Sequence, residues 1–217
     1  MNVKVCGLTS PSNVRTLAAL PLTWAGIIFY PKSPRFVSLT VATALCEAFA
    51  TMPEVQRVGV FVNATMSDIL THVRAFQLNA IQLHGNETPA FLYALRNALA
   101  EEALPYVALI KVISVGSEAD IAKTEVYQDV ADLLLFDTAT AQKGGSGKKF
   151  DWQYLTAYKG NCPFLLSGGI GADDAALLQD FHHEKCIGID LNSRFEAAPG
   201  IKDAPLLSTF LKSISLL

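Results

Sequence analysis

Short apolar runs alternate with longer amphipathic stretches along almost the whole chain. The runs are Val3–Cys6, Trp24–Phe29, Arg57–Val62, Ala80–Leu83, Tyr106–Ile113, Asp132–Phe136, Phe164–Leu166 and Cys186–Asp190. They are too short for buried helices, and most give way to a Gly, Asn, Asp or Ser that opens a turn, so they predict strands. Between them, helical spacing predicts helices over Pro11–Leu20, Ser38–Ala50, Ser67–Gln77, Thr88–Leu99, Glu118–Tyr127, Trp152–Tyr158, Asp173–Phe181 and Asp203–Leu216. The second of these sets Leu39, Ala42, Leu45, Cys46 and Phe49 on one face, and Thr9-Ser10-Pro11 supplies a cap and an N-terminal proline for the first.

Strands alternating with helices predict an α/β fold with a parallel sheet. No GxGxxG turn follows the first strand, which disfavours an open dinucleotide-binding sheet. The pattern favours a closed (β/α)8 TIM barrel, compact but within the usual range of roughly 200 to over 400 residues. No linker or shift in composition divides it, so residues 1–217 are expected to form a single barrel domain.

Composition narrows the function classes. A chain that is 51% hydrophobic and 17% charged is not disordered, and 17 Lys+Arg against 20 Asp+Glu leaves no basic stripe for nucleic acid. The longest uncharged run, Thr16–Pro31, is broken by Pro21 and too short to span a bilayer. Lys4 and the lack of an apolar stretch at the N-terminus argue against a secretory leader. Cys6, Cys46, Cys162 and Cys186 form no CxxC pair, so a reduced, cytoplasmic protein is expected.

In a barrel of this kind the chemistry sits on the loops that follow the strands. Those exits carry Cys6-Gly7, the segment Tyr30–Arg35, Asn63, His84-Gly85, Asp137-Thr138, Ser167-Gly168-Gly169-Ile170 and Asp190-Leu191-Asn192-Ser193. The last two are where barrels frequently hold a phosphate: glycines allow close backbone approach, and a following helix offers unpaired N–H groups. Cys6 is a candidate base or nucleophile as a thiolate, or else a small buried hydrophobe. Asp137 is a candidate acid, or else a turn cap. The segment Gly144–Lys149 fails the Walker pattern and is expected to be a loop that closes over ligand, or simply a surface loop. His182-His183-Glu184 precedes the eighth strand, at the opposite end from these exits, and is expected to be a solvated turn. His84 is expected to make a polar contact and not a metal site.

Laid out in this order, the chain resembles the phosphoribosylanthranilate isomerase family. The resemblance is carried by Lys4–Thr9, Gly26–Arg35, Val58–Asn63, Ile81–Gly85, Leu135–Thr138, Gly144–Gly147 with Phe150-Asp151-Trp152, and Leu166–Ile170. Each block is weak alone, but seven in family order are specific. The resemblance implies a (β/α)8 isomerase of tryptophan biosynthesis that needs no cofactor and no metal. Its reaction is the Amadori rearrangement of N-(5-phosphoribosyl)anthranilate to 1-(2-carboxyphenylamino)-1-deoxyribulose 5-phosphate. It further implies Asp137 as general acid, Cys6 as general base and Arg35 as partner of the anthranilate carboxylate. Gly168, Gly169, Asn192 and Ser193 then fall at the phosphate, Asp190 near the ribose hydroxyls, and His84 among the substrate contacts. The expected partner is a small phosphosugar, with neither nucleic acid nor membrane, and the chain is a monomer or homodimer.

Two positions depart from the family pattern after the eighth strand: Asn192 stands where a serine is usual, and Arg194 where a glycine is usual. Other readings are another phosphosugar-binding barrel such as an epimerase or indole-pathway lyase, an isomerase of broader substrate range, and a catalytically silent barrel. The joint presence of Cys6, Arg35 and Asp137 argues against the last.

Overall fold

The computed structural model describes residues 1–139 and 149–215. Eight parallel strands close into a barrel in chain order: β1 (Asn2–Val5), β2 (Trp24–Ile28), β3 (Gln56–Phe61), β4 (Ala80–Leu83), β5 (Ala108–Val115), β6 (Leu133–Thr138), β7 (Phe164–Leu166) and β8 (Cys186–Leu191), with β8 pairing back onto β1. The barrel expected from the sequence is therefore the fold observed. Helices α1 (Pro11–Thr16), α2 (Ala42–Phe49), α3 (Met66–Phe76), α4 (Pro89–Glu101), α5 (Ala175–Asp180) and α6 (Ala204–Ser215) lie between and after the strands. Ser10, Thr65 and Thr88 cap α1, α3 and α4 through their hydroxyls.

Burial on both faces of the strands explains the continuous apolar runs. One face of each strand joins an outer layer packed under the helices; the other fills the barrel with Val58, Ala80, Ile110, Val112, Leu133, Leu135 and Leu165. At the seam between β7 and β8 the register shifts by one residue. Ile187 packs in the inner cluster and Ile189 in the outer one, so the next residue, Asp190, points inward. Bulges at barrel rims re-aim side chains in this way.

Two segments expected as α-helices, Glu118–Tyr127 and Trp152–Tyr158, are 3-10 helices over Glu118–Tyr127 and Trp152–Ala157. Their buried residues explain the tighter winding. Ile121 and Thr124 in the first, and Trp152, Leu155 and Tyr158 along the second, recur at i and i+3, a period of three that keeps them on one line only in a 3-10 helix. In α3 the buried set is Ile69, Val73 and Phe76, the i, i+4, i+7 spacing of an α-helix.

Strand β5 begins later than expected because Tyr106 is 95% exposed and Val107 still belongs to a turn closed on Leu104. It also runs on to Val115, which pairs with Thr138 of β6. Asp137 consequently lies inside β6, not after it. A short antiparallel ladder, β9 (Glu196–Ala198) with β10 (Ile201–Lys202), follows β8 and was not anticipated.

Phe136 is fully buried beside Asp137, edge-on to Phe164 and Tyr158 at 4.9 and 5.5 Å between centroids. Phe136→Ala is expected to cost about 3–5 kcal/mol of unfolding free energy. Urea titration measures it, and a loss below about 1 kcal/mol would show that the ring is not part of the close-packed outer layer.

Candidate active site

Cys6 directly follows β1, at an inward position two residues beyond Lys4. Its sulfur packs against β2, where a Cβ on Gly26 would lie 2.6 Å away. Lys4 is completely buried, and its ammonium sits 2.8 Å from Asp190 Oδ1, while Ser167 Oγ donates to Asp190 Oδ2 at 3.1 Å. Burial pushes the Cys6 thiol above its ordinary value; Lys4 and Lys202 work against that rise and Asp190 adds to it.

Beside this pair lies a second buried cluster. Arg35 donates from Nε to both oxygens of Glu196, at 2.8 and 3.0 Å, and from Nη2 to Oε2 at 2.6 Å. Lys202 Nζ lies 2.7 Å from the other oxygen, Oε1, and also donates to the Asn192 side chain at 2.9 Å. Burial pushes Glu196 upward, but Arg35 and Lys202 overcome it and hold the carboxyl below its ordinary value. Gly7 makes this convergence possible. It sits at φ +81°, and a Cβ there would fall 2.7 Å from Arg35 Cδ and 2.8 Å from Asn192 Oδ1. Arg35 thus keeps one edge of its guanidinium, Nη1 with Nη2, outside the Glu196 pair, a shape suited to a second carboxylate.

Across the barrel, Asp137 is at an inward position of β6. Thr138 N–H donates to its Oδ1 at 2.9 Å, and His84 Nε2 is 3.3 Å from its Oδ2. Gln82 Nε2 lies 3.5 Å from the other ring nitrogen of His84, Nδ1. The polar contact expected of His84 is therefore with the candidate acid. The turn carrying His84 is held from below by Glu87, which accepts from the N–H groups of Asn63 at 2.8 Å and Gly85 at 2.9 Å. Lys111, 3% exposed on β5, pairs with Glu87 at 2.9 Å and donates to Gly85 O at 2.8 Å.

The glycine turn after β7 has Gly168 at φ +92° and Gly169 at +72°, backbone that favours glycine. A Cβ on Gly168 would meet Thr138, its N at 2.9 Å, so this turn closes directly onto the end of β6. Gly171 N–H donates to Asp174 Oδ2 at 2.7 Å, and Lys149 is 2.5 Å from the other oxygen of Asp174. Residues 144–148 of the glycine-rich segment lie outside the described residues. Ser193 begins a 3-10 turn (Ser193–Phe195) beside the β7 loop. The Asn192 side chain turns toward Lys202 and Gly7. The exposed Arg194 places Nε 3.0 Å from where a Cβ on Gly171 would sit.

His182 and His183 lie with Met1, Phe181 and Cys186 around a cavity of about 180 Å³ between β7, β8 and α5, before the start of β8. Among the described residues no group of three His, Cys, Asp or Glu is gathered as around a metal ion. No helix there is long and apolar enough to cross a membrane. Five charged residues of the mouth escaped the sequence reading: Lys4, Glu87, Lys111, Glu196 and Lys202. The signal for two of them was present, since Lys4 and Lys111 interrupt otherwise apolar strands.

A closed (β/α)8 barrel with a thiol, a carboxyl, a bidentate arginine and a glycine turn at one mouth has the architecture of the barrel enzymes that carry their chemistry on the loops after the strands. Comparison with known proteins makes this specific. The sequence profile of the N-(5'phosphoribosyl)anthranilate (PRA) isomerase family matches residues 3–213. The N-(5'-phosphoribosyl)anthranilate isomerase of Parabacteroides distasonis is 42% identical over 217 residues, covering 99% of this chain and 93% of that one. The crystal structure of phosphoribosyl anthranilate isomerase from Thermotoga maritima superposes with a TM-score of 0.82 at 32% identity, covering all of both chains. A structure of a phosphoribosyl anthranilate isomerase in complex with reduced 1-(o-carboxyphenylamino)-1-deoxyribulose 5-phosphate superposes with a TM-score of 0.78 at 30% identity, again over the whole of both chains. The chain belongs to the N-(5'-phosphoribosyl)anthranilate isomerase family.

The Glu87–Lys111 pair gives a pH-dependent prediction. Burial pushes Glu87 upward, but Lys111 and the Asn63 N–H hold it below its ordinary value, so the folded state binds its proton less readily than the unfolded chain. Its stabilising contribution is complete above the unfolded carboxylate value of about 4.3 and is lost as pH falls through the folded one. Glu87→Gln should therefore cost about 3–5 kcal/mol at neutral pH, because Lys111 loses its carboxylate partner, and should flatten the acid decline in stability. Urea midpoints from pH 7 down to pH 3 test this; parallel curves for the two proteins would refute it.

Proposed function

We propose that this chain catalyses the Amadori rearrangement of N-(5-phosphoribosyl)anthranilate to 1-(2-carboxyphenylamino)-1-deoxyribulose 5-phosphate in tryptophan biosynthesis. It acts as a single cytoplasmic barrel domain over residues 1–217, as a monomer or homodimer, by acid–base chemistry in which Asp137 is the acid and Cys6 the base. Membership of the family supports the reaction. The observation that carries the residue assignment is the placement of Asp137 and Cys6 at inward positions on β6 and β1, at the same end of the barrel and each with its own polar partners.

Asp137 gives a proton to the furanose ring oxygen, and the C1′–O bond breaks with its electron pair moving to that oxygen. The anilino nitrogen lone pair forms the C1′=N bond of a protonated Schiff base. Cys6, as thiolate, takes the C2′ proton; the electrons of that bond form C1′=C2′ and the C=N pair returns to nitrogen. The resulting enolamine tautomerises to the ketone: the C2′ hydroxyl loses its proton as C2′=O forms, and the C1′=C2′ electron pair takes up a proton at C1′. No electron is gained or lost overall. His84, 3.3 Å from Asp137, fixes the carboxyl and faces the same substrate region.

Arg35 takes the anthranilate carboxylate with the guanidinium edge that Glu196 leaves uncovered, since Glu196 pins Nε and one hydrogen of Nη2. The loops around Gly168, Gly169 and Ser193 take the phosphate through backbone N–H groups, each loop leading into a short 3-10 turn, Ala172–Asp174 and Ser193–Phe195. Asp190 lies between these ends, held by Lys4 and Ser167, and faces the ribose.

Loss of substrate fluorescence on adding the protein measures the reaction. Cys6→Ala and Asp137→Asn should each lower kcat by about 10²–10⁴-fold with the fold intact. Arg35→Ala should mainly raise KM, by roughly 10- to 100-fold, the worth of about 1.5–3 kcal/mol for charge-assisted hydrogen bonds. A folded Cys6→Ala protein that keeps its kcat within a few-fold would remove the thiol from the mechanism.

A further inference from the structure

Lys4 is a charge in the most enclosed part of the barrel. It occupies the inward position of β1 two residues before Cys6, it is fully buried, and its register partner across the β1–β8 seam is Asp190. The 2.8 Å ion pair with Asp190 explains how a cation is tolerated there. It does not explain why a cation is present, because a well-packed apolar pair at such a place is often as stable or more so. The neighbouring sulfur supplies the reason.

The charged groups acting on Cys6 are Lys4 on β1, Asp190 on β8, Lys202 on β10 and Arg35 in the loop after β2, and Glu196 on β9 pairs with the last two. Three cations stand against two carboxylates. The cluster carries one positive charge in excess beside the sulfur. Gly26 seals the sulfur from the β2 side, so water does not screen these interactions there.

We propose that Lys4 is a positioning residue for the base, a single buried ammonium shared between Asp190 and the Cys6 sulfur, with Asp190 setting how much of that cation the sulfur receives. This rests on the reading of Cys6 as the general base. The ammonium stays charged: burial works to lower its value, but Asp190 and Cys6 together raise it above the ordinary one. The thiol is raised by burial, opposed by Lys4 and then promoted by Asp190, so the two neighbours of Lys4 pull Cys6 in opposite directions. Ser167, donating to Asp190 at 3.1 Å, fixes the carboxylate in this role.

The test is a direct titration of the Cys6 thiol without substrate. Thiolate ultraviolet absorbance is recorded against pH as the difference between each protein and its matched Cys6→Ala counterpart, which cancels Cys46, Cys162 and Cys186. Lys4→Met should raise the midpoint by more than about one unit, at least a tenfold loss of thiolate at any pH below both midpoints. Asp190→Asn should lower it. Shifts of opposite sign are not what loosened packing would produce. An unchanged midpoint in folded Lys4→Met overturns the proposal. If Lys4→Met does not fold, Asp190→Asn decides: a lower midpoint upholds the shared cation, and an unchanged or higher one overturns it. The base assignment fails separately, through isomerase activity surviving in Cys6→Ala, because the titration reads the Lys4–Cys6 interaction whether or not the thiol does chemistry.

Discussion

A charged side chain on a barrel strand has no water to fall back on, because both faces of the strand are covered. The buried charges described at this mouth are consequently tied to partners, and the partners are what fix the site. Lys4 holds Asp190, Lys111 holds Glu87, and Arg35 and Lys202 divide the two oxygens of Glu196. Removing one member of such a pair strands the other at a cost of about 3–5 kcal/mol, comparable with a large part of a domain's total stability. The pairs therefore act as fixed struts. They also join elements far apart in sequence: Lys4 with Asp190, and Arg35 with Glu196, tie the first quarter of the chain to its last quarter across the closing seam.

These struts determine the geometry available to the chemistry. The Glu87–Lys111 pair does not reach the reacting groups, yet it grips the Asn63 and Gly85 backbones on either side of the turn that presents His84. His84 then meets Asp137. On the other side, Glu196 accepts two donors from Arg35 and leaves one guanidinium edge to the mouth, so the arginine is oriented before any ligand arrives. Pre-orientation matters because an arginine free to rotate would lose rotamer entropy on binding, roughly 0.5–1.5 kcal/mol for a long side chain.

The barrel was legible in the sequence because its strands are buried on both faces and each breaks sharply at a turn residue. Ala80–Leu83 and Phe164–Leu166 were placed to the residue. The helical segments at Glu118–Tyr127 and Trp152–Ala157 were placed but not typed, since a period of three over so few residues looks like a poor α-helical pattern. Cys6, Asp137, Arg35, His84, Asp190 and the Gly168-Gly169 turn were visible as polar or flexible residues at strand exits. Their partners were not. Glu196 and Lys202 lie on the β9–β10 ladder, whose strands are too short to leave a periodic signal. Lys4 and Lys111 did leave one, as charges inside apolar runs, but a lone lysine in a strand does not say which carboxylate compensates it. That information is in the closure of the barrel, and only the seam register and the β7–β8 bulge bring Asp190 inward to meet Lys4.

The segment after β8 is where the two ends of the site meet. Asn192 turns its side-chain oxygen to Lys202, Arg194 lays its guanidinium over Gly171 at the phosphate loop, and Glu196 pins Arg35. Three alternate residues thus face Lys202, the β7 loop and Arg35. The two departures from the family pattern fall at the first two of these. Asn192 is longer than the usual serine and reaches the Lys202 ammonium; Arg194 brings a cation where a glycine would bring only backbone. The cationic cluster around Cys6 and the phosphate loop are consequently joined through five residues of one chain segment. A phosphate group carries about −1.5 to −2 charges, and the loop proposed to receive it, with Arg194 beside Gly171, lies outside the sealed cluster. This separation preserves the charge balance at Cys6.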